Sequence, residues 1–309
     1  MKFNILLAES AGFCMGVSLA LSKLNRALEQ KNQRRIFTFG PIIHNPQVLS
    51  FYEEKGVRIT EDWNEPDPED IVLIRAHGIP LAIEDRLIRR NVNMIDATCP
   101  KVKRAQLLIG KDSQSCDCLL LYGESDHPEV KGLLSYADSR AHLFEDVEQL
   151  KRINIDPGKH YRLAAQTTQD REQFSLISAY LQEMLGSDLL ILDTICDATK
   201  NRQVETIEIA RQVDCMIVVG GKDSGNTRRL CKVAVEHCPA CFHIETEEEL
   251  SPGMISGFSR FGLTAGASTP DSTINKVYDK LRSMLCVESA SLHNPGNISC
   301  TLKNKLAGS

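Results

Sequence analysis

The sequence predicts an α/β chain of three pseudo-symmetric units, each with a small, mostly parallel sheet, and three observations predict it. Short apolar runs of strand length alternate almost throughout with stretches whose apolar residues recur at helical spacing, the signature of parallel α/β units. A cysteine, a strand-like run and a glycine recur together: Cys99 leads to the run 118–122 and Gly123, and Cys196 to the run 215–219 and Gly220, over 24 residues each. Cys14 leads to the run 36–39 and Gly40 over 26. Four residues beyond each glycine stands a polar side chain, His44, His127 or Ser224, and a second follows the next apolar run, His77, Thr167 or Ser268. Repetition at this period marks one supersecondary unit written three times around an approximate symmetry axis.

The elements follow in order. Strands are expected at residues 3–6, 36–39, 71–74, 119–122, 161–164, 189–192, 216–219 and 261–264, each a short run of mainly apolar residues. Between them, Val17, Leu21, Leu24 and Leu28 place one face of a helix over residues 17–29, and Phe174, Ile177, Tyr180 and Leu181 do the same in the second unit. Asn45-Pro46, His127-Pro128 and Thr269-Pro270 each read as a strand end running into a helix start, because proline at the first helical position loses no intrahelical bond. Unit boundaries fall at 14–96, 97–193 and 194–285, with residues 1–13 adding a strand to the third unit. From about Cys286 the periodicity weakens, and Asn294-Pro295-Gly296-Asn297 points to an extended tail over 286–309.

Composition narrows the function. With 309 residues, 42% hydrophobic and 25% charged, the chain reads as an ordinary soluble protein with ample core, and its net charge of −5 lacks the basic excess of a nucleic-acid binder. The apolar start ends at Glu9, short of a signal-peptide core, and no stretch approaches the roughly 18 apolar residues of a membrane span. A cytoplasmic address and no membrane partner are therefore expected. In that compartment thiols stay reduced, so 11 cysteines point to metal or redox use rather than disulfides.

Three thiols related by a pseudo-threefold axis converge on one point. Cys14, Cys99 and Cys196 so arranged suit an iron-sulfur cluster with one iron left without a protein ligand, an open Lewis-acid position for a substrate oxygen. The polar positions would ring that point at the carboxyl ends of parallel strands. There, helix starts with free backbone amides favour an anion. Glu129, two residues after His127 and just inside a helix start, is the candidate proton donor.

At these residues the chain resembles the LytB or IspH family of 4-hydroxy-3-methylbut-2-enyl diphosphate reductases. The resemblance is carried by Gly12-Phe13-Cys14-Met15-Gly16-Val17, Ile43-His44-Asn45, Ala76-His77-Gly78, Asp96-Ala97-Thr98-Cys99-Pro100, His127-Pro128-Glu129-Val130, Gln166-Thr167-Thr168, Ile195-Cys196-Asp197-Ala198-Thr199, Ser224-Gly225-Asn226-Thr227 and Thr264-Ala265-Gly266-Ala267-Ser268. It implies a trefoil of three α/β units around a 4Fe-4S cluster held by Cys14, Cys99 and Cys196. It also implies a diphosphate pocket of His44, His77, His127, Ser224, Asn226 and Ser268, with Glu129 as proton source and Thr167 as its relay near the substrate hydroxyl. Two electrons are expected from a reduced ferredoxin or flavodoxin, with isopentenyl and dimethylallyl diphosphate as products. Two departures stand out: Glu9-Ser10-Ala11 replaces the Asn-Pro-Arg common in the family, removing a basic side chain, and Gly225 replaces a second serine.

The remaining motifs are weaker. Cys238-Pro239-Ala240-Cys241 has zinc-like local spacing but no second pair at finger distance, and it reads as structural, as do Cys116, Cys118, Cys215, Cys231, Cys286 and Cys300. Residues 220–225 have the wrong order of glycine, lysine and hydroxyl for a P-loop, and Asn297-Ile298-Ser299 as a glycosylation acceptor is void in the cytosol. Two rival readings remain at this level, a cluster lyase similar to quinolinate synthase and a non-catalytic iron-sulfur redox sensor. A radical S-adenosylmethionine enzyme is disfavoured because its closely spaced cysteine triad is missing.

Overall fold

Runs buried at nearly every position become the central strands, and runs of mixed burial become the edges. The structure is a computed structural model describing residues 3–111, 116–137 and 140–291, for 288–291 the backbone alone. In chain order it runs β1 (Asn4–Leu7), α1 (Met15–Glu29), β2 (Ile36–Phe39), α2 (Pro46–Glu54), β3 (Val57–Thr60), β4 (Ile71–Ile74), α3 (Leu81–Arg89) and β5 (Asn93–Asp96). Next come α4 (Pro100–Gly110), β6 (Cys118–Tyr122), α5 (Pro128–Leu134), β7 (Arg140–Phe144), α6 (Val147–Lys151), β8 (Tyr161–Ala165), α7 (Arg171–Leu185) and β9 (Leu189–Ile191). The last third holds α8 (Asp197–Ala210), β10 (Cys215–Val219), α9 (Gly225–His237), β11 (Cys241–Ile244), α10 (Pro252–Ile255), β12 (Arg260–Ala265) and α11 (Asp271–Ser291).

The strands form three four-stranded sheets in which every described pairing is parallel, with orders β3-β2-β4-β5, β7-β6-β8-β9 and β11-β10-β12-β1. The three orders are one topology. In the last sheet β1, from the start of the chain, takes the edge that β5 and β9 occupy in the others, pairing Asn4 with Arg260 through Leu7 with Leu263. The residues fall into two compact units, one of residues up to 14, 44–48 and from 197 onward, the other of 15–43 and 49–196.

Each sheet buries apolar side chains against its helices. In β6, alternation sends Cys118, Leu120 and Tyr122 into a cluster with Phe174, Ile177 and Leu181 of α7, while Leu119 and Leu121 join Ala105 and Ile109 of α4 on the opposite face. The first unit packs β10 and β12 with Leu230 and Ala234 of α9 and Val277, Leu281 and Leu285 of α11. That i, i+4, i+8 stripe carries α11 past residue 286, so the expected tail does not begin there; residues 292–309, including Cys300, lie outside the described residues.

Four strands, β3, β5, β7 and β11, lie outside the sequence expectations, and all are edges of mixed burial with polar residues in the run, such as Arg58 or His142. The repeat glycines have a packing reason. A Cβ on Gly123 would stand 2.7 Å from Val130, and one on Gly220, at φ 144°, would stand 2.5 Å from Thr269 Oγ1 and 2.9 Å from Thr227 Oγ1. Gly220→Ala is therefore expected to lose about 1–3 kcal/mol of stability through overpacking and backbone strain, read as a lower urea midpoint.

Candidate functional site

The cysteines singled out by the repeat occupy one local setting three times. Cys14, Cys99 and Cys196 each immediately precede a helix, α1, α4 and α8. The amide of each donates to the carbonyl of the second residue past a central strand: Cys14 to Ala267 after β12 (3.1 Å), Cys99 to Ala76 after β4 (2.9 Å) and Cys196 to Thr167 after β8 (2.9 Å). A residue at a helix start lies at the positive end of the helix dipole. All three are partly exposed, and every described cysteine is a free thiol.

The loops that bear these bonds follow the strands where each sheet reverses its order, β2 with β4, β6 with β8, and β10 with β12. In open parallel sheets that switch point is where ligands bind. Aligning the three loops by their turns shifts two sequence equivalences by one residue. Gly78, Gln169 and Thr269 each donate to the carbonyl three residues back, which makes Ala76, Thr167 and Ala267 equivalent, and hence His77, Thr168 and Ser268. Thr167 thus stands one place before the position it was matched to. Likewise the helix-capping residue of the first repeat is Asn45, whose Oδ1 accepts the Val48 amide at 3.0 Å; it corresponds to His127 and Ser224, with His44 one residue earlier.

In the unit containing Cys14, the structure brings together the backbone of His44 and the loops of Ser224 and Ser268. Ser268 Oγ donates to the His44 carbonyl at 3.0 Å, and a Cβ on Gly221 would stand 2.8 Å from that same oxygen. The Ser224 amide closes onto Gly221, and its Oγ accepts the Thr227 amide at 3.4 Å to cap α9. Asn226, 7% exposed in the first turn of α9, keeps an Nδ2 donor without a partner among the described residues. The loop before Cys14 is held from α8: Arg202 donates to the carbonyls of Ser10 and Gly12, both at 2.9 Å, and Glu205 accepts the amides of Glu9 and Ser10. Arg202 therefore places a cation beside the segment whose own sequence lacks the family's arginine.

In the other unit His77 and His127 meet edge to face, ring centroids 5.1 Å apart. His127 caps α5 through Nδ1, which accepts the Glu129 amide at 3.1 Å. An Nδ1 engaged as acceptor leaves Nε2 to carry the proton, so the neutral ring presents a donor. Glu129, 1% exposed, accepts the Thr167 amide at Oε1 (2.6 Å) and the Thr167 hydroxyl at Oε2 (3.0 Å). Burial pushes its carboxyl up from 4.5 to about 7 against the opposing pull of both Thr167 bonds. A carboxylic acid that holds its proton near neutrality is suited to general acid work.

Comparison with known proteins shows the family. The LytB protein family model matches residues 5–282. The chain belongs to the LytB family. Curated LytB relatives include the 4-hydroxy-3-methylbut-2-enyl diphosphate reductase of Solidesulfovibrio magneticus, 51% identical over 91% of this chain and 99% of the relative. That of Geobacter sulfurreducens is 41% identical over 90% and 97%. A solved structure of (E)-4-hydroxy-3-methyl-but-2-enyl diphosphate reductase, the terminal enzyme of the non-mevalonate pathway, matches at 37% identity and TM-score 0.67, covering 91% of this chain and all of that one. The Plasmodium falciparum E-1-hydroxy-2-methyl-but-2-enyl-4-diphosphate reductase matches at 26% identity and TM-score 0.87, over 97% and 92%. No described helix of this LytB chain is long and apolar enough to cross a membrane.

Two site residues lie outside the sequence-derived set. Asn45 is 1% exposed with an Nδ2 lacking a partner among the described residues, and its signal was its place immediately before Pro46. Arg75, 8% exposed, opens the loop to His77 and lies where a Gly40 Cβ would collide; an arginine directly after an all-apolar strand was the available sign. Because Glu129 binds its proton more tightly folded than unfolded, its stabilising share is complete below about pH 4.5 and lost as pH rises through about 7. Relative to Glu129→Gln, the wild type should lose about 3 kcal/mol of unfolding free energy between about pH 4 and pH 8, measured by urea titration.

Proposed function

We propose that this chain is an iron-sulfur reductase that removes the allylic hydroxyl of 4-hydroxy-3-methylbut-2-enyl diphosphate, taking two electrons and protons, to give isopentenyl and dimethylallyl diphosphate. The observation that carries the proposal is the buried acid: Glu129 with both oxygens on Thr167 and a pKa near 7 has the chemistry a departing hydroxyl requires. Family membership and the identities above support the same reading. Neither the quinolinate-synthase-like nor the sensor reading is favoured by any observation.

The donor set suits the cofactor that the family implies. Cys14, Cys99 and Cys196, partly exposed thiols at helix starts, would hold a 4Fe-4S cluster with one iron open. When bound, such a cluster supplies a Lewis acid for the substrate oxygen and the electrons for the allyl group. The protein's residues supply the rest. Glu129 holds the proton at its carboxyl and passes it, through the Thr167 hydroxyl, toward the leaving oxygen. The donors for diphosphate are His127 at Nε2, Asn226 at Nδ2, Ser224, Ser268, His44 and His77; neutral donors at helix starts bind an anion without needing a lysine or arginine clamp. The division into units 14–96, 97–193 and 194–285, a trefoil arrangement, a cytoplasmic setting and a ferredoxin or flavodoxin donor belong to the same proposal.

The test is turnover of 4-hydroxy-3-methylbut-2-enyl diphosphate by anaerobically purified protein with reduced methyl viologen, the two isomeric products separated by chromatography; no turnover with full iron and sulfide content would sink the proposal. Glu129→Gln should keep the iron and sulfide content and lower kcat by about 100-fold or more. Cys99→Ser should lose iron and sulfide on direct analysis. His127→Ala should raise KM about tenfold with the metal content unchanged.

A further inference from the structure

A second group of thiols lies away from the three helix-start cysteines, on α9 and β11. Cys231, near the middle of α9, and Cys241, the first residue of β11, bring their sulfurs to 3.9 Å, and both are partly exposed. Sequence spacing points instead to Cys238 as the partner of Cys241, two residues of loop apart. The structure gives the Cys238 thiol other partners: it is buried at 4% exposure and turned to the carbonyls of Ala240 (3.6 Å) and Val213 (3.9 Å). Among the described residues no third cysteine, histidine or carboxylate completes a metal-ligating group with the pair. A structural zinc, which takes four ligands, is therefore disfavoured.

We infer that Cys231 and Cys241 form a redox-active dithiol, a modification site that a low-molecular-weight disulfide converts into an intramolecular disulfide. The 3.9 Å contact between the two sulfurs lowers the Cys231 thiol to about 7 and, with burial, holds the Cys241 thiol up. Cys231 is thus the attacking thiolate and Cys241 the resolving thiol. The Cys231 thiolate attacks one sulfur of RS–SR, forming a Cys231–SR mixed disulfide and expelling RS⁻. Cys241 then attacks the Cys231 sulfur, expels the second RS⁻ and loses its proton. Overall the two protein thiols are oxidised by two electrons, one external disulfide is reduced, and two RSH are released. Closure needs a shift of roughly 2 Å between the sulfurs, within the reach of side-chain rotation.

The bond would tie α9 to β11, and α9 begins at the Ser224 cap. The buried thiols Cys118, Cys215 and Cys238 lack this arrangement, and burial raises the pKa of each.

The experiment uses the full chain, purified anaerobically, exposed to oxidised glutathione, blocked with N-ethylmaleimide at timed intervals, digested and mapped by mass spectrometry. The expected product is a Cys231–Cys241 disulfide, appearing at least about tenfold faster than glutathione adds to Cys118, Cys215 or Cys238. Cys241→Ser should trap glutathione on Cys231, and Cys231→Ser should leave Cys241 as slow as the buried thiols. A disulfide joining Cys238 to Cys241, no intramolecular disulfide in the wild type, or equal rates at all these sites would overturn the inference. The wild-type map alone decides it if a variant fails to fold, and it does so independently of turnover.

Discussion

A backbone amide at the start of a helix, closed onto a carbonyl two residues past a central strand, is the constraint on which the site's local order rests. It occurs at Cys14, Cys99 and Cys196 with lengths of 2.9–3.1 Å. A net contribution of about 1 kcal/mol each is modest. The value lies in position: the bond ties the cysteine to the loop that carries His77, Thr167 and Thr168, or Ser268. Because only main-chain atoms take part, the loop side chains can differ between repeats while the closure is kept. One scaffold thereby supports an imidazole in one loop and a hydroxyl in the others.

Burial against hydrogen bonding decides the character of Glu129. Two donors from Thr167 favour the carboxylate, yet complete removal from water outweighs them, and the group titrates near 7. A glutamate in the first turn of an exposed helix would be ionised there, serving only the helix dipole. The His127 cap adds direction. By accepting the Glu129 amide, the ring orients the first turn of α5 and commits its own proton to the opposite nitrogen.

Much of the architecture was legible in the amino-acid order. The runs at 71–74, 119–122 and 216–219 are buried throughout, and a strand covered on both faces favours a near-continuous apolar run. The edges β3, β5, β7 and β11 escaped because each is only partly buried and carries polar residues in its run, so its composition resembles that of loops. Counting residues from a glycine also misplaced two equivalences. The first repeat has one more residue between Gly40 and its helix than the others have, and adjacent Thr167 and Thr168 look alike until the turn shows which follows His77 and Ser268. Asn45 and Arg75 carried only positional signs, a place before Pro46 and a place after an apolar strand, and neither sign shows how nearly buried the side chain is.

The chain's order alone determined the threefold repeat, the cysteine at the head of each copy and the alternation of strand and helix, because periodicity and turn residues are local properties. Tertiary structure alone decided that Glu129 leaves water almost entirely and that Cys241 faces Cys231 across α9 and β11 rather than its neighbour Cys238. Burial and sulfur-to-sulfur approach depend on residues far apart in the chain, and no local pattern encodes them.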